Sequence, residues 1–368
     1  MSDETLLQTI FHDWHVAQGG RMVEFGGWHM PVQYSTIVDE HNAVRNTLGV
    51  FDVAHMGRLR FDGPDACRFL DYVLTNDVAK LQPGQVRYSL VTNEAGGILD
   101  DVLVYRIDDG YILVVNASNR EKIVGWLEVH RGGFDVEIED RSQSHPMLAL
   151  QGPRSVELMA ALGCEQAAGM KYYSIMRTTV AGFDVLLSRT GYTGEDGFEV
   201  IVESGEALAL LDKACEAGEP LGLQPAGLGC RDTLRLEAAM PLYGHELNEQ
   251  TDPLTAGLGF GVKLDAGDFI GRDALLKIRE SGTSRVRVGL KLEGRRIARE
   301  GAAVVVGDEV VGEVTSGTFS PTLEEPIAMA YVDRRYSDTG IALEIDIRGK
   351  RVAARTVDLP FYRRPKAS

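Results

Sequence analysis

An α+β fold that gives way to an all-β C-terminal domain is what this sequence predicts, and three observations carry that expectation. Helix and strand periodicities alternate through the first two thirds of the chain. From about residue 283 the texture changes to short alternating strands separated by glycine-rich turns. The chain has 368 residues, 44% hydrophobic and 25% charged, which suffices for two or three domains with a substantial core.

Ile37, Val38, Val44 and Leu48 fall at helical spacing over 36–48, and Gly49 reads as the stop. Pro64 and Asp65 open a second helix over 64–75 that buries Phe69, Leu70, Val73 and Leu74. Strands follow at Tyr88-Ser89-Leu90-Val91, then after a Gly-Gly turn through Asp100 and Asp101 into Val102-Leu103-Val104-Tyr105, and again at residues 111–115. Residues 119–131 form an amphipathic helix around Ile123, Trp126 and Leu127. This order is an α+β sandwich of roughly ferredoxin-like size. The middle region repeats the vocabulary: a strand at 147–150, a helix at 153–163, a strand at 185–189, and a helix at 205–217 over Leu208, Leu211 and Ala214. No fixed repeat period accompanies it. Beyond 283, strands at 286–290, 304–306, 310–314 and 342–347 read as a small β-barrel or roll, with Thr315–Thr322 as a polar turn joining two of them.

A formal net charge of −16 speaks against general nucleic-acid binding, which needs basic surface to neutralise phosphates. A small anionic ligand in a local basic pocket remains compatible with it. Cys67, Cys164, Cys215 and Cys230 are far apart with no CxxC pair, so neither disulfides nor a zinc site is expected and a reducing compartment is. No run of roughly 18 apolar residues exists to span a membrane. The segment Met1–Thr5 is acidic and lacks an apolar signal core, so the expected location is cytoplasmic.

Three segments carry chemistry. In Asn93–Asp101 two adjacent carboxylates enter an apolar strand, and strand alternation turns one to each face. Burying either costs free energy without a partner, which is a backbone amide, an arginine or a basic group on a ligand. Residues 191–199, Gly-Tyr-Thr-Gly-Glu-Asp-Gly-Phe-Glu, form a loop that turns sharply or approaches something closely. It reads as an exposed acidic hairpin or as a receptor for N–H donors of a flat amino-heterocycle, since it lacks the lysine of a phosphate loop. Residues 227–237 open a helix with Arg231 in its first turn, where a cation opposes the helix dipole by about 0.3 kcal/mol or more. Arg231 therefore either pairs with a carboxylate or holds an anionic ligand. His29 and His55 read as structural, because no HxH, HExxH or GxSxG pattern supports a metal site or a hydrolase.

Taken in order, FGGWHMP (25–31), DEHNAVR (39–45), FDVAHMG (51–57), NEAGGILDD (93–101), QGP (151–153), SRTGYTGEDGFE (188–199), GLGCRDTLRLEA (227–238), TSGTFSPT (315–322) and PFYR (360–363) resemble the glycine cleavage T-protein family over essentially the whole chain. The resemblance implies a three-domain, cloverleaf-like arrangement of ferredoxin-like α+β domains with a C-terminal β-barrel. Residues 1–50 with 140–260 would form a discontinuous folate-binding domain, 51–139 the domain carrying the Asp100-Asp101 strand, and 283–368 the barrel. It implies transfer of the methylene of an aminomethyl group from lipoylated H-protein to tetrahydrofolate, a co-substrate, with release of ammonia. It implies no metal, nucleic-acid or membrane partner. By the same resemblance Asp101 is the catalytic aspartate, Glu199 and Arg231 contact the folate, and Tyr88, Asn116, Tyr172, Tyr192 and Met56 line its site.

Position 230 is cysteine where the family more often has alanine; both are small and commonly buried, so little effect is expected. H-protein is acidic, which makes Arg295, Arg296 and Arg299, with Arg363 and Arg364, candidates for its docking. Two alternative readings are a tetrahydrofolate-dependent demethylase of a sulfonium or methylamine compound and a non-enzymatic folate-binding module. The latter relatives carry a cysteine-containing KGCYxGQE-like segment, and Arg189–Asp196 here has no cysteine.

Overall fold

The computed structural model describes residues 6–365, and the acidic Met1–Thr5 segment lies outside them. The chain divides into two compact units. The first takes the chain up to Leu70 with Val78–Tyr88 and Val102–Arg231; the second takes Asp71–Asp77, Ser89–Asp101 and the chain from Asp232 onward.

In the first unit a short helix α1 (His12–Ala17) precedes the antiparallel hairpin of β1 (Arg21–Phe25) and β2 (Trp28–Gln33). Thr36 caps helix α2 (Ile37–Asn46), its hydroxyl accepting the Asp39 N–H at 3.1 Å, and Asp39 and Glu40 in the first turn suit the dipole. The helix ends at Asn46 and strand β3 (Leu48–Asp52) begins two residues later, so Gly49 does not stop the helix but lies within a strand. The reason for glycine there is packing: a Cβ would stand 2.4 Å from Val44 Cγ2. Strand β4 (Gly57–Asp62), helix α3 (Ala66–Val73), strands β5 (Val86–Thr92), β6 (Ile98–Ile107) and β7 (Gly110–Val115), helix α4 (Arg120–His130) and strand β8 (Glu137–Asp140) follow. Of these, residues 71–73 of α3, 89–92 of β5 and 98–101 of β6 belong to the second unit. Next come β9 (Met147–Gln151), α5 (Ser155–Ala161), β10 (Ile175–Val180), β11 (Phe183–Ser188), β12 (Gly197–Val202), α6 (Ala207–Gly218), β13 (Leu223–Pro225) and α7 (Leu228–Glu237), the last with residues 232–237 in the second unit.

Two sheets result, in the orders β10-β11-β12-β9-β3-β13 and β5-β6-β7-β4-β8. Apolar residues of the first sheet, among them Leu148, Leu150, Leu187, Phe198 and Val200, share one core with Leu158 of α5 and Leu210, Leu211 and Ala214 of α6. Leu208, expected in that core, is 42% exposed, because helical spacing groups Ala207, Leu210, Leu211 and Ala214 on the buried side. Each buried leucine contributes roughly 2 kcal/mol.

The second unit holds helix α8 (Arg272–Ser281) and a closed antiparallel barrel of β14 (Arg285–Leu292), β15 (Ala303–Val306), β16 (Glu309–Ser320), β17 (Glu325–Asp333), β18 (Ala342–Asp346) and β19 (Arg351–Val357), ordered β14-β17-β16-β15-β18-β19. Val288, Leu290, Val304, Val314, Ala330, Val332, Leu343 and Ile345 fill its core. The barrel agrees with the sequence reading, but Thr315–Ser320 is not a turn. These residues extend β16, with Ser316 opposite Met329 and Thr318 opposite Ile327. They are polar because buried charges need them: Thr315 Oγ1 donates to Glu246 Oε1 at 2.6 Å, and Arg235 Nη2 donates to Ser316 Oγ at 2.8 Å. Among the described residues no helix is long and apolar enough to cross a membrane.

Candidate active site

The aspartate doublet lies in β6. Asp100 is fully buried, whereas Asp101 is partly exposed, as strand alternation requires of neighbours. Its turn is built by Asn93, whose Oδ1 accepts the N–H groups of Ala95 and Gly97 at 3.0 and 2.9 Å. Gly97 must be glycine, since a Cβ would overlap the Glu249 carbonyl at 1.8 Å. The strand is then fixed at its start, where Ile98 N–H donates to the Thr251 carbonyl at 3.0 Å. Alternation also places Tyr105 on the same strand face as Asp101.

In the first unit Glu199 is not the end of a loop. It lies inside β12, between Ser188 of β11 and Ala149 of β9, and is buried. Its Oε2 accepts the hydroxyls of Thr190 and of Tyr105, the latter at 3.3 Å. Burial, with the Glu199 charge adding to it, pushes the Tyr105 hydroxyl well above the usual tyrosine range. Among the described residues Glu199 makes no ion pair.

The loop before it is not an exposed acidic hairpin. Arg45 Nη1 donates to Thr193 O at 2.7 Å and to Glu195 Oε1 at 2.9 Å, and Arg189 pairs with Asp196. Gln151 closes the loop from within, accepting the Thr193 hydroxyl at 2.9 Å and donating to the Thr190 carbonyl at 3.0 Å. Gly191 and Gly197 make room for that amide: a Cβ on either would stand 2.0 or 2.4 Å from it. Two of the three acids expected to face a ligand are therefore held by arginines, and Glu199 is the exception.

Arg231 lies in the first turn of α7, partly buried, its guanidinium carbon 4.8 Å from the centre of the Tyr192 ring. Burial works against its charge, opposed by Tyr192 and then Glu199. Among the described residues it makes no ion pair. The turn that launches it is held by Glu40, whose Oε2 accepts the Gly227 N–H at 2.9 Å. Cys230 is buried there, its thiol donating to the Gly227 carbonyl at 3.3 Å, so the departure from alanine fits the space.

Met56 is partly buried in the loop between β3 and β4. Beside it His55 is buried between the Phe25 and Trp28 rings, with no hydrogen-bond partner on Nδ1, and burial lowers its pKa to about 4. It is structural in packing, with Nδ1 the ring nitrogen left without a hydrogen bond. His29 does find a partner, with Nδ1 3.0 Å from His12 Nε2. Tyr88 and Asn116 are partly buried, while Tyr172 is 41% exposed against the edge of Tyr173. The expected site residues that the first unit brings together are thus Glu199, Tyr192 and Arg231. Tyr105, Thr190, Gln151 and Arg45 escaped the sequence reading; of these Tyr105 carried a signal, the period-two spacing from Asp101.

A groove of about 720 Å³ in the same unit is lined by Arg58, Arg60, Arg141, Arg177, Leu186 and Ile201, among others. Its cations are engaged, Arg60 and Arg177 with Asp109, Arg141 with Glu139, and Arg58 with the Ala54, Met56 and Ser142 carbonyls, so it offers an anionic ligand little. Among the described residues no group of three or more His, Cys, Asp or Glu side chains is placed to hold a metal.

A family model described as the GCVT N-terminal domain matches residues 11–266, and one described as the glycine cleavage T-protein C-terminal barrel domain matches 285–363. An aminomethyltransferase of Symbiobacterium thermophilum is 49% identical, over 99% of this chain and 99% of its own. One of Streptomyces avermitilis is 47% identical, with 100% of each chain covered. The crystal structure of glycine cleavage system aminomethyltransferase T from Bartonella henselae matches with a TM-score of 0.92 at 35% identity, covering 97% of this chain and 98% of that one.

Proposed function

This chain belongs to the glycine cleavage T-protein family and is an aminomethyltransferase, and on that footing we propose its full reaction. It takes the aminomethyl group carried by lipoylated H-protein and transfers the methylene to tetrahydrofolate. Ammonia, 5,10-methylenetetrahydrofolate and dihydrolipoyl H-protein are the products. The setting is cytoplasmic, tetrahydrofolate is the co-substrate and no metal takes part.

The observation that supports this reading is the pair of charges without ion-pair partners among the described residues, Glu199 and Arg231, with Tyr192 against the latter. A carboxylate held by hydroxyls alone suits the N–H edge of a pterin, and a cation over an aromatic ring suits a polar heterocycle beside it. Tyr88, Asn116, Tyr172 and Met56 complete the lining. Tetrahydrofolate supplies the nitrogens N5 and N10 that take up the methylene. Asp101 orients the reacting nitrogen and stabilises the positive charge that develops on it. Asp100, buried on the other strand face, keeps a structural role. Arg295, Arg296 and Arg299 are exposed and free of ion pairs among the described residues, which suits docking of the acidic H-protein. No observation favours a demethylase or a non-enzymatic folate module.

The test is an assay of methylenetetrahydrofolate and ammonia from aminomethylated H-protein. Asp101→Asn is expected to keep tetrahydrofolate affinity within about tenfold while turnover falls by about a hundredfold or more. Normal turnover in Asp101→Asn, with loss in Asp100→Asn, would move the catalytic role to Asp100.

A further inference from the structure

The loop from Val53 to Met56 is held by two buried charges. Asp52 Oδ1 accepts the Ala54 N–H at 2.7 Å. Its Oδ2 is fixed in turn by the Thr9 hydroxyl at 2.6 Å and by His15 Nε2 at 2.9 Å, and the Tyr34 hydroxyl meets His15 Nδ1 at 2.8 Å. On the other side Arg58, 2% exposed, donates from Nη2 to the Ala54 carbonyl at 2.9 Å and from Nη1 to the Met56 carbonyl at 2.8 Å. It also donates to the Ser142 carbonyl, and its own N–H donates to Ser142 Oγ at 2.9 Å. Ala54 thus presents its N–H to an anion and its carbonyl to a cation, the orientation both charges favour.

Arg58 is a costly way to fill this space. Among the described residues it makes no ion pair, its Nε is buried without a partner, and burial lowers its pKa to about 10 against the opposing charge of Asp52. What the guanidinium supplies that an apolar side chain would not is a rigid fork onto two carbonyls of one short loop.

We propose that Asp52 and Arg58 are positioning residues for the transfer reaction, fixing the Val53–Met56 backbone so that Met56 meets tetrahydrofolate already in place. The inference rests on the reading of Met56 as a folate contact.

A double-mutant cycle tests it, with equilibrium titration of tetrahydrofolate and steady-state kinetics on Met56→Ala, Arg58→Lys and the double variant. Arg58→Lys is expected to weaken binding roughly five- to tenfold and to raise KM for tetrahydrofolate, with kcat changed by less than about twofold. In the Met56→Ala background the same change is expected to cost less than about twofold, as for residues acting through one contact. An Arg58→Lys effect that persists in full in that background, or a fall in kcat with KM unchanged, overturns the proposal. Unchanged affinity in Met56→Ala alone overturns the Met56 reading, and this proposal with it. Should Arg58→Lys fail to fold, Asp52→Asn enters the same cycle: it keeps an oxygen for the Ala54 N–H, drops the charge, and carries the same expected pattern.

Discussion

Arg231 and Arg235 stand one turn apart on α7, and their surroundings differ in kind. Arg235 is closed: it donates to Glu246 at 2.8 Å, to Asp232 at 2.9 Å and to Ser316 at 2.8 Å, and Glu246 also accepts the Thr315 hydroxyl. Arg231 has the Tyr192 ring and, among the described residues, no ion pair. The same division separates Glu195, paired with Arg45, from Glu199, held by hydroxyls. A buried charge that already has its counter-ion is part of the frame. One that has neither a counter-ion nor, as Arg58 has, backbone carbonyls to fill its donors is disposed to meet a ligand.

The largest expected effect tests the closed side. Arg235→Met leaves Glu246 buried without its cation and is expected to cost about 3–5 kcal/mol of stability, read by denaturant unfolding. A loss under about 1 kcal/mol would mean that the closed pair is not what holds this region.

His55 sharpens the contrast, because an imidazole can shed its charge where a guanidinium cannot. Its pKa falls from an ordinary 6.5 to about 4 in the fold, so between these values the unfolded chain binds the extra proton. The contribution is fully present above about pH 6.5 and is lost as pH falls towards 4. At 1.36 kcal/mol per pH unit this is about 3 kcal/mol at most. His55→Asn should flatten the stability profile across that window; an unchanged slope would show that His55 is not held neutral.

How much of this was legible in the sequence varies with the physics involved. Alternation alone divided Asp100 from Asp101, since a two-residue period leaves no other outcome. The barrel was legible from short alternating strands, but β17 and β19 were not; in β19 the outward Arg351 and Arg355 flank small Ala353 and Ala354. Thr315–Ser320 read as a turn because polar strand residues are indistinguishable from loop residues until their buried partners, Glu246 and Arg235, are known. Gly49 read as a helix stop although its cause is the close approach of Val44, a tertiary fact. For the site, Glu199 and Arg231 stood out by motif, yet which acids of the loop were already paired depended on Arg45 and Arg189, and Arg45 lies some 150 residues from its partner Glu195.

The most direct measurement is tetrahydrofolate affinity and thermal stability of Arg231→Met beside Arg235→Met. The predicted result is that Arg231→Met folds with stability within about 1 kcal/mol of the parent and binds tetrahydrofolate at least about tenfold more weakly, while Arg235→Met loses stability first. Parental affinity in a folded Arg231→Met would contradict the assignment of Glu199 and Arg231 to the folate.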